Sequence, residues 1–190
     1  MTTQDGADAV TGDLAAEPKR PQRPAQRTDL FLGDLSAGQI FGSATYQIGV
    51  AEIKRFAGEF DPQPFHLDEA EAARSLFSGL AASGWHTAAI TMRLLVGSVR
   101  ISGGIVGAGM DVLRWPKPVR PGDTLRLECE VLEVRPSTSH PDRGLTKVRT
   151  TTLNQHGEPV QVLVANLVVP RRPRDEAGAC ALAPAHPRSQ

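Results

Sequence analysis

The sequence predicts an α+β domain, an antiparallel sheet curled around one buried helix, and three observations predict it. The stretch SGWHTAAITMRLLV, from Ser83, carries Arg93 as its only permanent charge between Trp85 and Val96. A helix apolar on most of its circumference is built to be buried on most sides. Further on, Leu125, Leu127, Cys129 and Val131 alternate with Arg126, Glu128 and Glu130, the period-two pattern of a sheet with one wet face. Residues 145–153 and 160–169 then read as a hairpin across Asn154-Gln155-His156-Gly157. The second of its strands is apolar on both alternations, as a covered central strand would be. One long helix followed by a run of strands is the pattern of an α+β domain.

In chain order, residues 1–28 mix Ala, Asp, Thr, Pro and Arg with no apolar period to offset the entropy of ordering them, so they are expected to form a disordered N-terminal extension. The same composition returns over residues 171–190, read as a disordered tail in which Arg171, Arg172 and Arg174 form a solvated basic patch. The folded domain is therefore expected over residues 29–170. Inside it, residues 40–48 (IFGSATYQI) predict a first strand, and residues 50–60 a short helix with Val50, Ile53 and Phe56 or Ala57 on one face. A DPQPFHLD loop follows. Asp68 with Glu71 three residues on is a helix start, predicting a helix over residues 69–76. After the apolar helix, Gly103, Gly104, Gly107 and Gly109 mark a loop or a glycine-kinked strand. The Arg120-Pro121-Gly122-Asp123 turn leads into the alternating strand, where Cys129 falls on the apolar side and reads as a small buried hydrophobe.

Composition narrows the function classes. With 21 basic and 21 acidic residues among 190, no bulk field recruits nucleic acid or an anionic membrane surface. Two cysteines make neither a disulfide framework nor a zinc pattern. No apolar run reaches membrane-span length and no signal-peptide block opens the chain, so a soluble cytoplasmic protein is expected.

The chemistry-bearing stretch is residues 61–93. Pro62 and Pro64 stiffen the five-residue step from Asp61 to His66, which allows both side chains to be aimed into one small volume. A carboxylate and an imidazole sharing a water can exchange protons with it as a general acid-base pair. Gly84, behind Ser83 at the start of the apolar helix, would let a ligand approach the backbone, where unpaired N–H groups polarise a carbonyl. On spacing alone a plainer reading also stands, with Asp61 as a turn residue and His66 as a hydrogen-bonded buried histidine. Asp68 reads as a helix cap, His86 as a hydrogen-bonded core or pocket histidine and Trp85 as packing or pocket wall. Arg93 reads as an end-paired or solvated charge. His140, His156 and His186 have no metal-ligand spacing, and no metal site is expected.

The segment FAGEFDPQPFHLDEAEAARSLFSGLAASGWHTAAITMRLL resembles the hydratase motif of the MaoC-like dehydratase family, the (R)-specific enoyl-CoA hydratases, whose members carry D-x-N-P-x-H ahead of a buried helix. Asp61, Pro64 and His66 match, and MDVLRWPKPVRPGDTL resembles the family's later strand and turn, so the similarity runs over about residues 30 to 170. The resemblance implies a hotdog fold, a homodimer or higher homo-oligomer, and reversible hydration of a trans-2-enoyl thioester of coenzyme A, or of an acyl carrier, to the (R)-3-hydroxyacyl thioester. It implies Asp61 and His66 as the acid-base pair, the Gly84 N–H as oxyanion donor, and Gln63, Ser83, Trp85 and His86 around the substrate. No cofactor is implied beyond the coenzyme A of the substrate. Two positions depart from the pattern: Gln63 stands where the family has Asn, and Ala89 where it has a serine on the central helix. Rival readings are a hotdog thioesterase, marked by release of free thiol, and an acyl-thioester binding module, marked by binding without turnover.

Overall fold

A computed structural model describes residues 29–173. The expected N-terminal extension and residues 174–190 of the expected tail lie outside the described residues. The sheet has the order β1-β4-β5-β6-β3, with β2 pairing beside β1 on β4, and every pairing of these strands is antiparallel. Its long strands are β4 (Thr124–Pro136), β5 (Arg143–Leu153) and β6 (Pro159–Pro170), and β3 (Val106–Arg114) forms one edge. At the other edge lie β1 (Ile40–Gly42) and β2 (Tyr46–Gln47). The 40–48 segment is thus two short strands where the sequence predicts one. Ser43 causes the break: its hydroxyl accepts the Leu127 N–H at 2.9 Å, replacing a ladder carbonyl with a side chain.

Among the described residues one long helix packs on this sheet, and three shorter ones pack beside it. The long one, α4 (Gly84–Ser98), lays Ile90, Leu94 and Leu95 into a single core cluster with Leu125, Leu127 and Val131 of β4, Val148 of β5 and Leu163 of β6. Each such leucine contributes about 1.5–3 kcal/mol by leaving water. The Thr91 hydroxyl, which donates to the Thr87 carbonyl at 2.9 Å, also meets the Thr152 hydroxyl at 2.6 Å and ties helix to sheet. One long helix against an antiparallel sheet is the hotdog arrangement.

The helix is covered on one side only. Trp85, Ala89, Met92 and Val96 form an exposed stripe along it, because one chain supplies one sheet and hence one apolar wall. Strand β6 is central, between β5 and β3, yet its outer alternation, Val162, Val164 and Val168, is half-buried rather than covered. The glycine-rich stretch divides. Gly103 and Gly104 take positive φ in the loop, while Gly107 and Gly109 lie inside β3 and flank a register shift. Cys129 is fully buried, and burial raises its thiol pKa against a partly offsetting contact with Thr150.

Helices α1 (Val50–Phe60), α2 (Pro64–Leu67) and α3 (Glu69–Arg74) follow one another in the chain, each packed on the next, and α1 meets α4 where Phe56 stacks on His86. The loop expected after Phe60 contains a full helical turn, α2. Pro64 occupies its first position, where a missing N–H costs nothing and the fixed φ suits a helix. Asp68 caps α3 as expected, accepting from the Ala70 and Glu71 N–H groups at 2.8 and 2.9 Å. That helix ends at Arg74, two residues early, because Ser75 is extended and its hydroxyl turns back to the Ala72 carbonyl.

Candidate active site

Two turns and one short extended segment build the site. Asp61 terminates α1: its N–H still reaches the Ala57 carbonyl at 2.9 Å, but the following Pro62 forces it out of helical geometry. The chain then enters α2, which carries His66 inward until the residue is only 4 % exposed. Residues 81–83, buried and leading into α4, form the facing wall. That wall is fixed from behind, since the Ala82 N–H donates to the Val119 carbonyl at 2.9 Å. The neighbouring Arg120 guanidinium donates to the carbonyls of Phe77, Gly79 and Leu80.

The His66 ring is oriented by a single backbone atom. Nδ1 lies 2.7 Å from the Ala81 carbonyl oxygen, which can only accept, so Nδ1 carries a proton. In the neutral ring the lone pair is then on Nε2, which faces Asp61 Oδ2 at 3.5 Å. Asp61 is held at both oxygens, Oδ1 by the Gln63 amide at 2.9 Å and Oδ2 by the Ser83 hydroxyl at 2.6 Å. Burial works against ionisation of this carboxyl, but the Ser83 and Gln63 hydrogen bonds and the adjacent imidazole outweigh it and hold the pKa below the usual carboxylate value.

Asp61, Gln63, His66, Gly84, Trp85 and Trp115 all line one cleft of about 550 Å³, walled also by Phe65, Phe77, Pro116 and Val119. The Gly84 N–H has no hydrogen-bond partner among the described residues. The need for glycine here is steric: a Cβ at Gly84 would stand 2.8 Å from Trp115 Cε2, so the indole lies directly on the helix backbone. Trp115 is in turn anchored by its Nε1–H, which donates to Oε1 of the fully buried Gln161 at 2.9 Å.

Of the seven residues that the sequence reading groups around the substrate, five line the cleft directly: Asp61, His66, Gln63, Gly84 and Trp85. Ser83, within that wall, is 1 % exposed and does not line the cleft; its hydroxyl turns to Asp61 rather than to the open space. His86 does not line the cleft. It stacks on Phe56, centroids 4.4 Å apart and planes 3° from parallel, with a buried Nδ1 that has no partner among the described residues, so it is a core histidine without the expected hydrogen bond there. Burial lowers its pKa, with nearby Glu52 opposing the shift and Arg55 adding to it. Arg93 lies 5.1 Å over the Tyr46 ring. Among the described residues no cluster of metal-ligating side chains occurs. Sequence reasoning missed Trp115, Gln161 and the Ala81 carbonyl. An aromatic within RWPKP and a lone amide within VQVLV were the available signals for the first two, and a backbone carbonyl leaves no signal at all.

Comparisons with known proteins agree with this architecture. The family model described as a MaoC like domain matches residues 34–153. A crystal structure of a MaoC-like dehydratase from Rhodospirillum rubrum is 59% identical, with a TM-score of 0.74, over 76% of this chain and 99% of that one. The R-hydratase PhaJ1 from Pseudomonas aeruginosa, in its unliganded form, is 28% identical with a TM-score of 0.63, over 85% of this chain and 97% of that one. Among curated proteins, the uncharacterised YdeM of Bacillus subtilis (strain 168) is 36% identical over 125 residues, 65% of this chain and 87% of its own length. By its sequence match and by its fold, the chain belongs to the MaoC-like dehydratase family.

Proposed function

We propose that the protein catalyses reversible hydration of a trans-2-enoyl thioester to the (R)-3-hydroxyacyl thioester, with Asp61 and His66 as its acid-base pair. The observation that carries this reading is the convergence of Asp61 Oδ2 and His66 Nε2, 3.5 Å apart, at a cleft bordered by a Gly84 N–H that is unpartnered among the described residues. Membership of a dehydratase family supports it, as does the likeness to a named R-hydratase.

The chemistry follows from the atoms available. A water between the two side chains gives one proton to Nε2 of neutral His66 as its oxygen bonds the β carbon. The ionised Asp61 stabilises the imidazolium formed, and the same proton passes to the α carbon, so one water adds across the double bond. The negative charge that develops on the thioester oxygen is met by the Gly84 N–H, reinforced by the positive end of α4. Water addition to a conjugated thioester asks only for acid-base groups and an oxyanion donor, so the coenzyme A or acyl-carrier portion of the substrate is the only further group required.

The exposed stripe on α4 and the outer edge of β3, unpaired among the described residues and with Val106 and Met110 exposed, support a homodimer in which a second copy covers both. Light scattering of the full chain at micromolar concentration checks this: twice the 20.3 kDa chain mass is expected, and a persistent monomer refutes it.

The central test is hydration of crotonyl-CoA, followed by loss of the enoyl-thioester absorbance. Wild-type turnover and its loss in Asp61→Asn are expected. A fully active Asp61→Asn overturns the assignment, release of free thiol points to a thioesterase, and binding without hydration points to a binding module.

A further inference from the structure

Ser83 makes two hydrogen bonds through one hydroxyl. Its Oγ accepts the Trp85 N–H at 3.1 Å, capping α4, and donates to Asp61 Oδ2 at 2.6 Å. The cap needs only the oxygen lone pair. The proton is spent on Asp61, twenty-two residues away in sequence, and the carboxylate oxygen that receives it is the one facing His66 Nε2. The other anchor of Asp61, the Gln63 amide, makes an exposed bond from a long, flexible side chain, whereas Ser83 is 1 % exposed and rigidly set by the helix start.

We propose that Ser83 is a positioning residue that locks Asp61 Oδ2 against His66 Nε2 and links it to the N-terminal turn of α4, the turn that presents the Gly84 N–H. Residues 81–84 then act as one template: the Ala81 carbonyl sets the His66 ring, the Ser83 hydroxyl sets Asp61, and the Gly84 N–H faces the cleft. The inference deepens the hydratase reading and rests on it for its kinetic arm. His66, from α2, is the titratable group facing Asp61, while Gln63 and Ser83 present uncharged donors. Loss of the Ser83 donor therefore removes one of the contacts that keep Asp61 ionised, and the carboxyl titrates at higher pH.

The experiment compares wild type with Ser83→Gly and Ser83→Thr in the full chain. Glycine caps a helix almost as well as serine but has no hydroxyl, so Ser83→Gly keeps the fold while deleting the bond to Asp61. Two readouts are taken: the Asp61 carboxyl titration by carbon NMR, assigned with Asp61→Asn, and the steady-state kinetics of crotonyl-CoA hydration. Expected are an upward move of the Asp61 midpoint, a fall in kcat of about tenfold to a hundredfold with little change in KM, and recovery of both by Ser83→Thr. A titration midpoint unchanged in Ser83→Gly overturns the proposal whatever the protein turns over. No hydration by wild type overturns the hydratase reading and leaves the NMR arm to decide the positioning role.

Discussion

The molecule brings together two carboxylates and two imidazoles, Asp61 with His66 and Glu52 with His86, and treats them in opposite ways. Both histidines are buried, and both carboxyls are held below their usual pKa against the opposing effect of burial. At Asp61 and His66 the polar atoms are partnered by groups that orient them toward a cleft. At the other pair, Glu52 is bonded to the Tyr46 hydroxyl at 2.6 Å and to the Gly49 N–H at 3.2 Å, a capping arrangement for α1. His86 there stacks on Phe56 with an Nδ1 unpartnered among the described residues. Residue type and proximity are shared. On the proposed function, what separates the acid-base pair from the structural one is a set of fixed partners together with a place on the cleft.

The sharpest way to break the comparison is to remove each imidazole. His66→Gln is expected to lower kcat for enoyl-thioester hydration by about 10²- to 10⁴-fold, while His86→Phe, which keeps the stack on Phe56, stays within a few-fold of wild type. Equal losses in the two variants would make the distinction wrong. Next in size is Gly84→Ala. Its new methyl must displace the Trp115 indole, at an expected cost of about 1–3 kcal/mol in stability. A denaturant midpoint at the wild-type value would show that the ring is free to move.

The smallest effect separates the pairs by pH. Burial holds the folded-state pKa of His86 below the ordinary histidine value, so the unfolded chain binds the extra proton more readily. The stability contributed by neutral His86 is full above about pH 6.5, and it declines as pH falls from there toward the depressed folded value. Asp61 has a depressed pKa too, but as a carboxylate its contribution is present above its unfolded pKa and is lost only as pH falls through its lower folded value. Chemical denaturation between pH 7 and pH 5 should therefore show a decline in wild type that is reduced in His86→Phe and unchanged in Asp61→Asn. A decline of equal slope in all three would remove His86 as its source.

Much of the fold was legible because its periods are local. The alternation over residues 125–131, the turn at Gly157 and the cap at Asp68 each declare themselves within a few residues. The break at Ser43 did not, because it depends on the Leu127 N–H from another strand. The DPQPFH spacing likewise marked Asp61 and His66 as able to converge, but not that they do. His86 had an equal claim by residue type, and only its stack on Phe56 and its place outside the cleft distinguish it.

By itself the sequence determined the α+β class, the helix that anchors the core, and the proline-stiffened turn that carries a carboxylate and an imidazole. Those are consequences of hydrophobic period and backbone restriction, which act over a few residues at a time. The tertiary structure alone decided that the Ala81 carbonyl sets the His66 ring, that Ser83 binds Asp61, and that Gln161 holds Trp115 over Gly84. These contacts join residues 15 to 46 positions apart. Their partners are a carbonyl, a hydroxyl and an amide, groups present all along the chain, so only the packing of α4 against the sheet can select which of them meet.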